Sequence, residues 1–367
     1  MSMPDSKHHD LVADIGGTNA RFARVGADGR HGEPVKLAVA DYPDLAAATR
    51  AALERLPGPD IDRAAFAFAG PITGDAVSLT NAGWSFSIAA LRKELGLAQL
   101  LVLNDFAALA WSLPYLEPEE MRRIGGGGAG DASAGTGGDD GGGGDAAWIA
   151  PTATLAVIGP GTGIGMSGLV PTPAGGWAAI SGEGGHASLA PADKRETDIL
   201  AWTRRHYPHV SIERLVSGSG LPLLHAAVGA VDGYVASDDG GAGGGDDGGA
   251  GCAQRDATSG TGPTAAEITD RALKGEPHAH ATLSTFCAML GGAAGNLALT
   301  LGARGGVYIG GGIPPRIEAF LGASQFRARF EDKGRFADYL AAIPTWLIDA
   351  RAPALRGAAH ALARSET

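Results

Sequence analysis

The sequence predicts an α/β protein built as two sheet-centred units flanking a central cleft. Three observations lead there. Apolar runs of strand length alternate with helical patterns along most of the chain. Three of those strands, ending near Asp14, Ile158 and Ile309, run directly into glycine-rich turns. With 367 residues the chain can carry two cores of ordinary size. It divides into a smaller unit over 1–116, a Gly/Asp-rich insertion over 117–150, and a larger unit over 151–367.

Asp10 to Asp14 reads as a strand, Gly16-Gly17-Thr18-Asn19 as a turn, and Ala20 to Gly26 as a returning strand. Adjacent glycines let the backbone approach a ligand closely. Their N–H groups, with the Thr18 hydroxyl, can cradle phosphate oxygens. Asp14, just before the turn, is placed to hold Mg²⁺ directly or through water. Glu33–Ala40 offers a third strand, Leu45–Leu56 an amphipathic helix and Ala64–Ala69 a buried strand. The order β-β-β-α-β is the opening of an RNase-H-like half. Gly70–Ser87 reads as a hairpin that brings Asn81 and Trp84 to a cleft wall, and Ile88–Leu95 as a helix. Leu100 to Leu103 is then a strand, and Phe106, Leu109 and Leu113 recur at helical spacing. Asn104 and Asp105 thus stand at the carboxyl end of a strand, where open α/β sheets bind ligands. Alone, such a pair would merely cap the helix. The glycine loops and a second polar cluster give it a larger role.

That cluster lies in the second half. Thr154–Ile158 is a strand leading into Gly159-Pro-Gly-Thr-Gly-Ile-Gly165. Gly163-x-Gly165-x-x-Gly168 matches the dinucleotide fingerprint, but Pro171 and Pro173 forbid the long helix that motif needs. A second strand–turn–strand phosphate loop fits better. Trp177–Pro191 places Glu183 and His186 on a glycine-loosened loop. Asp193–His206 is a helix, and Ile212–Leu215, with Glu213, precedes the turn Ser217-Gly-Ser-Gly220. Thr264-Ala-Ala-Glu267 is a capping box opening the next helix. Ala281–Ala303 is uncharged and long enough to span a bilayer, yet it holds several glycines and Asn296. Its large apolar residues form one stripe, so it reads as a core helix. Gly305–Ile309 is a strand ending in Gly310-Gly311-Gly312-Ile-Pro-Pro, a third loop wide enough for the face of an adenine. Helices around Ile317 and Ala337, a strand at Trp346–Ile348 and an Ala-rich helix complete the chain.

The formal net charge of −11 is concentrated. Gly125–Asp145 and Ser237–Gly262 hold nine Asp and one Arg, leaving only −3 elsewhere and no basic run. Nucleic acid and anionic membranes are therefore poor partners. The first stretch has 12 glycines in 21 residues, and neither stretch has apolar residues enough to offset ordering entropy. Both are expected to be disordered insertions. Cys252 and Cys287 make no disulfide framework and no C-x-x-C, which suits a reducing cytoplasm. The first ten residues lack the apolar core of a signal peptide.

The chain has no Gly-Lys-Ser/Thr and no His-Arg-Asp kinase set, so nucleotide binding would rest on the three glycine loops. That plan is similar to the actin-like ATPase superfamily of sugar kinases, Hsp70 and actin. Within it, the chain resembles the bacterial glucokinase family of the ATP-dependent, non-ROK type. ADIGGTNAR resembles its first phosphate motif, GPGTGIG its second and GGVYIGGGIPPR its adenosine motif. LNDF, SGEGGH and the Glu of IERLVSG resemble its sugar-site segments, and PITGDAVSLTN and FEDKGRF are further family segments. The resemblance implies ATP, bound by Ala13, Asp14, Ile15, Gly16, Gly17, Thr18 and Asn19, by Gly161, Thr162 and Gly163, and by Gly310, Gly311 and Gly312. It implies Asp105 as the base that takes the proton from O6 of glucose. Asn104, Glu183, His186, Glu213 and Asn81 would hold the other hydroxyls, and Asp14 would hold Mg²⁺ through water. The product would be glucose 6-phosphate, made in the cytoplasm at the entry to glycolysis. A homodimer is among the assemblies the resemblance allows. ROK sugar kinases carry a similar Glu-x-Gly-His segment but add a Cys-rich zinc motif, and some a DNA-binding helix-turn-helix; neither is present. The alternatives are a non-catalytic sugar sensor with the same cleft, and an actin- or Hsp70-like ATPase, for which the Glu183/His186 segment would be surplus.

Overall fold

Strand β1 (Asp10–Ile15) turns at Gly16–Thr18 into antiparallel β2 (Asn19–Val25), and β3 (Val35–Ala38) continues the meander. In this computed structural model, residues 9–79, 83–125, 153–234 and 262–365 are described. β4 (Arg63–Phe68) pairs parallel to β1 and is buried at every residue, which accounts for the unbroken apolar run that follows Arg63. β5 (Ala76–Ser78) and β6 (Ser85–Ser87) form a separate hairpin, and β7 (Gln99–Asn104) adds parallel to β4. The first sheet is therefore ordered β3-β2-β1-β4-β7, as β-β-β-α-β predicts.

The second sheet repeats the plan. β9 (Leu155–Pro160), β10 (Ile164–Pro171) and β11 (Trp177–Gly182) are an antiparallel meander. β12 (Gly306–Ile309) pairs parallel to β9, β13 (Thr345–Ile348) parallel to β12, and β8 (Met121–Arg123) closes the far edge. The order is β11-β10-β9-β12-β13-β8. Each sheet has its own core. Phe22, Phe66 and Phe68 centre the first. The second gathers around the helix Pro277–Leu301, long and apolar enough to cross a membrane. Most of its apolar window is buried here, so the helix serves as the core element its glycines suggested.

Four features depart from the sequence reading. Met121–Arg123, expected inside the insertion, is the edge strand β8; Arg122 and Arg123 point to solvent, so it lacks an apolar pattern. Trp177–Gly182, expected as loop, is β11, half-exposed along its length. Phe326–Glu331 is a further helix, which no helical spacing announced. The last helix, Pro353–Arg364, expected with the second unit, crosses back to the first sheet. There Leu355, Ala358, Ala359 and Leu362 cover Val12, Ala23 and Ala65. Gly357 allows this helix to rest on the carbonyl of Ala108, where a Cβ has no room. The crossing turns at Ala352, in the left-handed region at φ 48°. The Gly/Asp stretches lie outside the described residues apart from their ends Gly125 and Gly262, as does Asn81.

Candidate active site

Asn104 and Asp105 divide the labour that a bare cap would combine. Asn104 is the N-cap of the helix Asp105–Ser112, its Oδ1 accepting the N–H groups of Phe106 at 2.9 Å and Ala107 at 3.3 Å. Its Nδ2 donates to the Gly70 carbonyl at 3.2 Å, which fixes the amide and leaves one N–H over. Asp105, beside a helix start that Asn104 already caps, accepts the Phe106 N–H at 2.9 Å on Oδ1 and also interacts with its own N–H. Burial pushes its pKa up to about 6, against the pull of that N–H, with the charges of Asp14 and Glu183 adding to the rise. A carboxylate poised near neutrality at a strand end suits general-base work.

Asp14 faces Arg21 across the β1–β2 register, and Arg21 Nη1 donates to its Oδ2 at 3.0 Å. Burial raises the Asp14 pKa, and Arg21 opposes the rise. The turn beyond is pinned by the Gly16 N–H on the Asn19 carbonyl at 3.0 Å, while Thr18 is exposed. Ala13 and Ile15 are buried strand residues that set the turn's position.

The second and third loops adjoin at the ends of β9 and β12. Gly161 N–H closes on the Gly163 carbonyl at 2.8 Å. The Gly161 and Thr162 carbonyls are held from outside by Gly218 N–H at 2.8 Å and Ser219 N–H at 3.0 Å. Gly310 N–H bonds Ile158 and Ile313 N–H bonds Pro160, leaving Gly311 and Gly312 exposed between them. Gly311 has φ 86° and lies against the Pro160 carbonyl, so only glycine fits. Among the described residues, the N–H groups of Gly17, Thr18, Thr162 and Gly163 have no hydrogen-bond partner. They are donors free for an anion.

Glu183, His186 and Glu213 come together as expected. His186 Nε2 lies 4.0 Å from Glu183 Oε2, and its Nδ1 lies 3.9 Å from Glu213 Oε1. Both gaps exceed a hydrogen bond, so these atoms remain available to hydroxyl groups. Glu213 is oriented by the Ile164 N–H on its Oε2 at 3.0 Å. Its carboxylate occupies the place a side chain at Gly163 would take. Phe106, next to Asp105, lays its ring on Gly159 and Gly165, and thereby docks the helix of the first unit on the second sheet. Asp14 from the first sheet and Glu183 from the second thus each lie near enough to Asp105 for their charges to raise its pKa.

A family model described as Glucokinase matches residues 11–365. The chain belongs to the glucokinase family. It is 46% identical over 354 residues to a glucokinase of Chromobacterium violaceum, covering 96% of this chain and 89% of that one. A crystal structure of a glucokinase from an Antarctic psychrotroph is 37% identical, with a TM-score of 0.77 over 97% of this chain and 99% of the other. The fold is shared further, with a ROK family glucokinase from Streptomyces griseus in complex with glucose and AMPPNP, at 17% identity and a TM-score of 0.58 over 97% of this chain and 99% of the other. The actin-like fold with two RNase-H-like halves is therefore the architecture of this glucokinase-family chain.

Three contributors escaped sequence reasoning. Arg21 is visible only by counting hairpin register outward from the turn, where it falls opposite Asp14. Gly70 acts through its carbonyl, which any residue type has. The third is the turn Ser217–Gly220, whose bracing of the second phosphate loop is tertiary: Ser219 Oγ donates to the Thr162 carbonyl at 2.9 Å.

Proposed function

We propose that this protein transfers the terminal phosphoryl group of ATP to O6 of D-glucose, releasing glucose 6-phosphate and ADP. Membership of the glucokinase family makes it a sugar kinase. What carries the assignment of roles is the half-buried Asp105 carboxylate, beside a helix start that Asn104 caps, and held at a pKa of about 6. A sugar sensor has no need of such a base.

Glu183, His186, Glu213 and the spare N–H of Asn104 hold the other hydroxyls and present O6 to Asp105. Asn81 remains a candidate on the same wall. A pyranose bound through each hydroxyl excludes analogues that lack one, because a buried partner would be left unpaired. Asp105 accepts the O6 proton as the oxygen bonds to the terminal phosphorus and the bond to the leaving phosphate oxygen breaks. Phosphoryl transfer needs chiefly positioning and charge neutralisation. The free N–H groups of Gly17, Thr18, Thr162 and Gly163 supply fixed donors to the phosphates, and Gly310–Gly312 receives the base.

Asp14 is a fitting magnesium residue: a carboxylate at the phosphate turn, with Arg21 opposing the effect of its burial. Oxygen donors suit that ion. Magnesium bound there would neutralise phosphate charge as it develops. The cytoplasm, where ATP is made and thiols stay reduced, suits this reaction. A coupled assay of glucose 6-phosphate formation across nucleotides and hexoses tests the proposal, with ATP and glucose the expected pair. Absence of turnover in a folded protein that still binds glucose would favour the sensor instead.

A further inference from the structure

The segment Phe330–Phe336, FEDKGRF, has no part in the chemistry above, yet it helps to wall a cavity of about 360 Å³. The other walls are Ser188–Ala192, Ile212, Glu196 and one face of the helix Pro277–Leu301. None of the candidate sugar or nucleotide residues lines it. The cavity exists because of how two helices meet. Gly291 and Gly295 lie against the Phe326 and Phe330 carbonyls, which brings Phe326–Glu331 close to the long helix. Gly292, between them, faces open space: a Cβ there would have Arg329 Nη2 as its nearest neighbour, at 4.0 Å.

The charges are unequally satisfied. Arg329 has its charge paired, its two terminal nitrogens 2.9 and 3.0 Å from the buried Glu196, which also accepts the Ala192 N–H at 2.8 Å. Lys333 is half-buried and donates only to the Gly292 carbonyl, at 3.2 Å, so two ammonium protons remain. Burial and the nearby Arg329 charge hold its pKa below the ordinary lysine value, against the pull of Asp332 and Glu196. The Asn296 side-chain amide, on the same rim, has no hydrogen-bond partner among the described residues. Leu189, Ile212, Met289 and Ala293 supply an apolar lining. With one cation unspent and Asp332 at hand, the cavity favours a single negative charge over two.

The cavity is also wired to the sugar residues. Leu189 N–H bonds Val210 and Ile212 N–H bonds Ala187, at 3.0 and 2.9 Å, joining the two segments that carry His186 and Glu213. Both segments line the cavity from behind, at Ser188–Ala192 and Ile212.

We propose that this cavity is an effector site for a small carboxylic acid anion with a short apolar body, held by Lys333 and Asn296. Its occupancy stiffens the paired segments behind His186 and Glu213 and so alters glucose affinity. The coupling rests on the sugar-site reading above; the binding site itself does not.

The test uses the full-length protein with pyruvate and 2-oxoisovalerate as probes and inorganic phosphate as an anion without an apolar body. Binding is followed by calorimetry without glucose, which keeps it independent of activity. Saturable binding of the carboxylates at about 10 mM or tighter is expected, with phosphate much weaker. Gly292→Leu, which fills the space, and Lys333→Met, which removes the cation, should each abolish it while leaving basal kcat unchanged. Saturating 2-oxoisovalerate should change the KM for glucose by about fivefold or more in the native protein and not in either variant. Absence of carboxylate binding, undiminished binding to Gly292→Leu, or phosphate binding as well as the carboxylates would overturn the site. Binding without any change in glucose KM would overturn the coupling alone.

Discussion

Replacing Asp105 by Asn should separate activity from stability in opposite directions. The substitution keeps shape and keeps an oxygen to accept the Phe106 N–H, but removes the charge. Turnover should fall by about a hundredfold or more, with glucose binding roughly intact. Stability should rise. The carboxyl titrates near 3.8 in the unfolded chain and at about 6 in the folded one, chiefly because it is buried. Above pH 6 the unfolded state is therefore favoured by up to roughly 3 kcal/mol, a cost absent below pH 3.8 that grows between the two values. Asp105→Asn lifts that cost, so its urea midpoint should exceed the parent's at pH 7.5 and converge with it near pH 4. In the native protein, kcat/KM should fall on the acid side with an apparent pKa of about 6, leaving about a tenth of the base ionised at pH 5. Measuring glucose 6-phosphate formation from pH 5 to 8 beside urea titrations supplies both readouts. Near-normal turnover in Asp105→Asn, or an acid limb below pH 4.5, would refute the reasoning.

Gly163→Ala should raise the KM for glucose about tenfold, since its methyl group displaces the Glu213 carboxylate from the Ile164 N–H; an unchanged KM would detach Glu213 from sugar binding. Burial holds the pKa of His225 and of His360 down at about 4. Protons bind the unfolded chain first as pH falls from 6.5, so stability should drop down to about pH 4, by roughly 3 kcal/mol at most for each histidine, and a flat profile of urea midpoints would contradict this. Asp10→Ala removes the carboxylate that the buried Arg63 meets twice, at 2.8 and 2.6 Å, and should cost about 3 kcal/mol in denaturant titrations while sparing kcat. Replacing residues 126–145 and 237–261 by short turns should leave activity unchanged, because these stretches carry almost no apolar side chains and loop closure costs only about 0.6 kcal/mol per doubling of length. Loss of most turnover in a normally folded shortened protein would instead assign one of them a role.

Much of the architecture was legible because its signals are local. A strand buried on both faces, such as β4, is an unbroken apolar run. A turn that must approach phosphate needs glycine, and Thr264 with Glu267 announces a helix start through a capping box that forms as written. The polar clusters at Asn104–Asp105 and Glu183–His186 could be read for the same reason. What stayed hidden was tertiary. β8 exists only because β13 offers an edge, and Met-Arg-Arg has no period of its own. The division of duties between Asn104 and Asp105 depends on where Gly70 lies. Phe106 looked like the first apolar residue of a helix, and only its contact with Gly159 and Gly165 shows it joining two sheets.

The return of the helix Pro353–Arg364 to the first sheet has a consequence for how the chain is made. β1 and β4 leave the ribosome early, but the face bearing Val12, Ala23 and Ala65 stays uncovered until Leu355–Leu362 emerges. At ~5–20 residues per second, that interval is roughly 15–60 s. Throughout it the nascent first half shows apolar surface to the cell, a natural client for chaperones. The twelve residues Pro353–Arg364 then act as a quality check on translation: a product truncated before Pro353 would carry every residue proposed for catalysis and still lack the cover its first sheet needs.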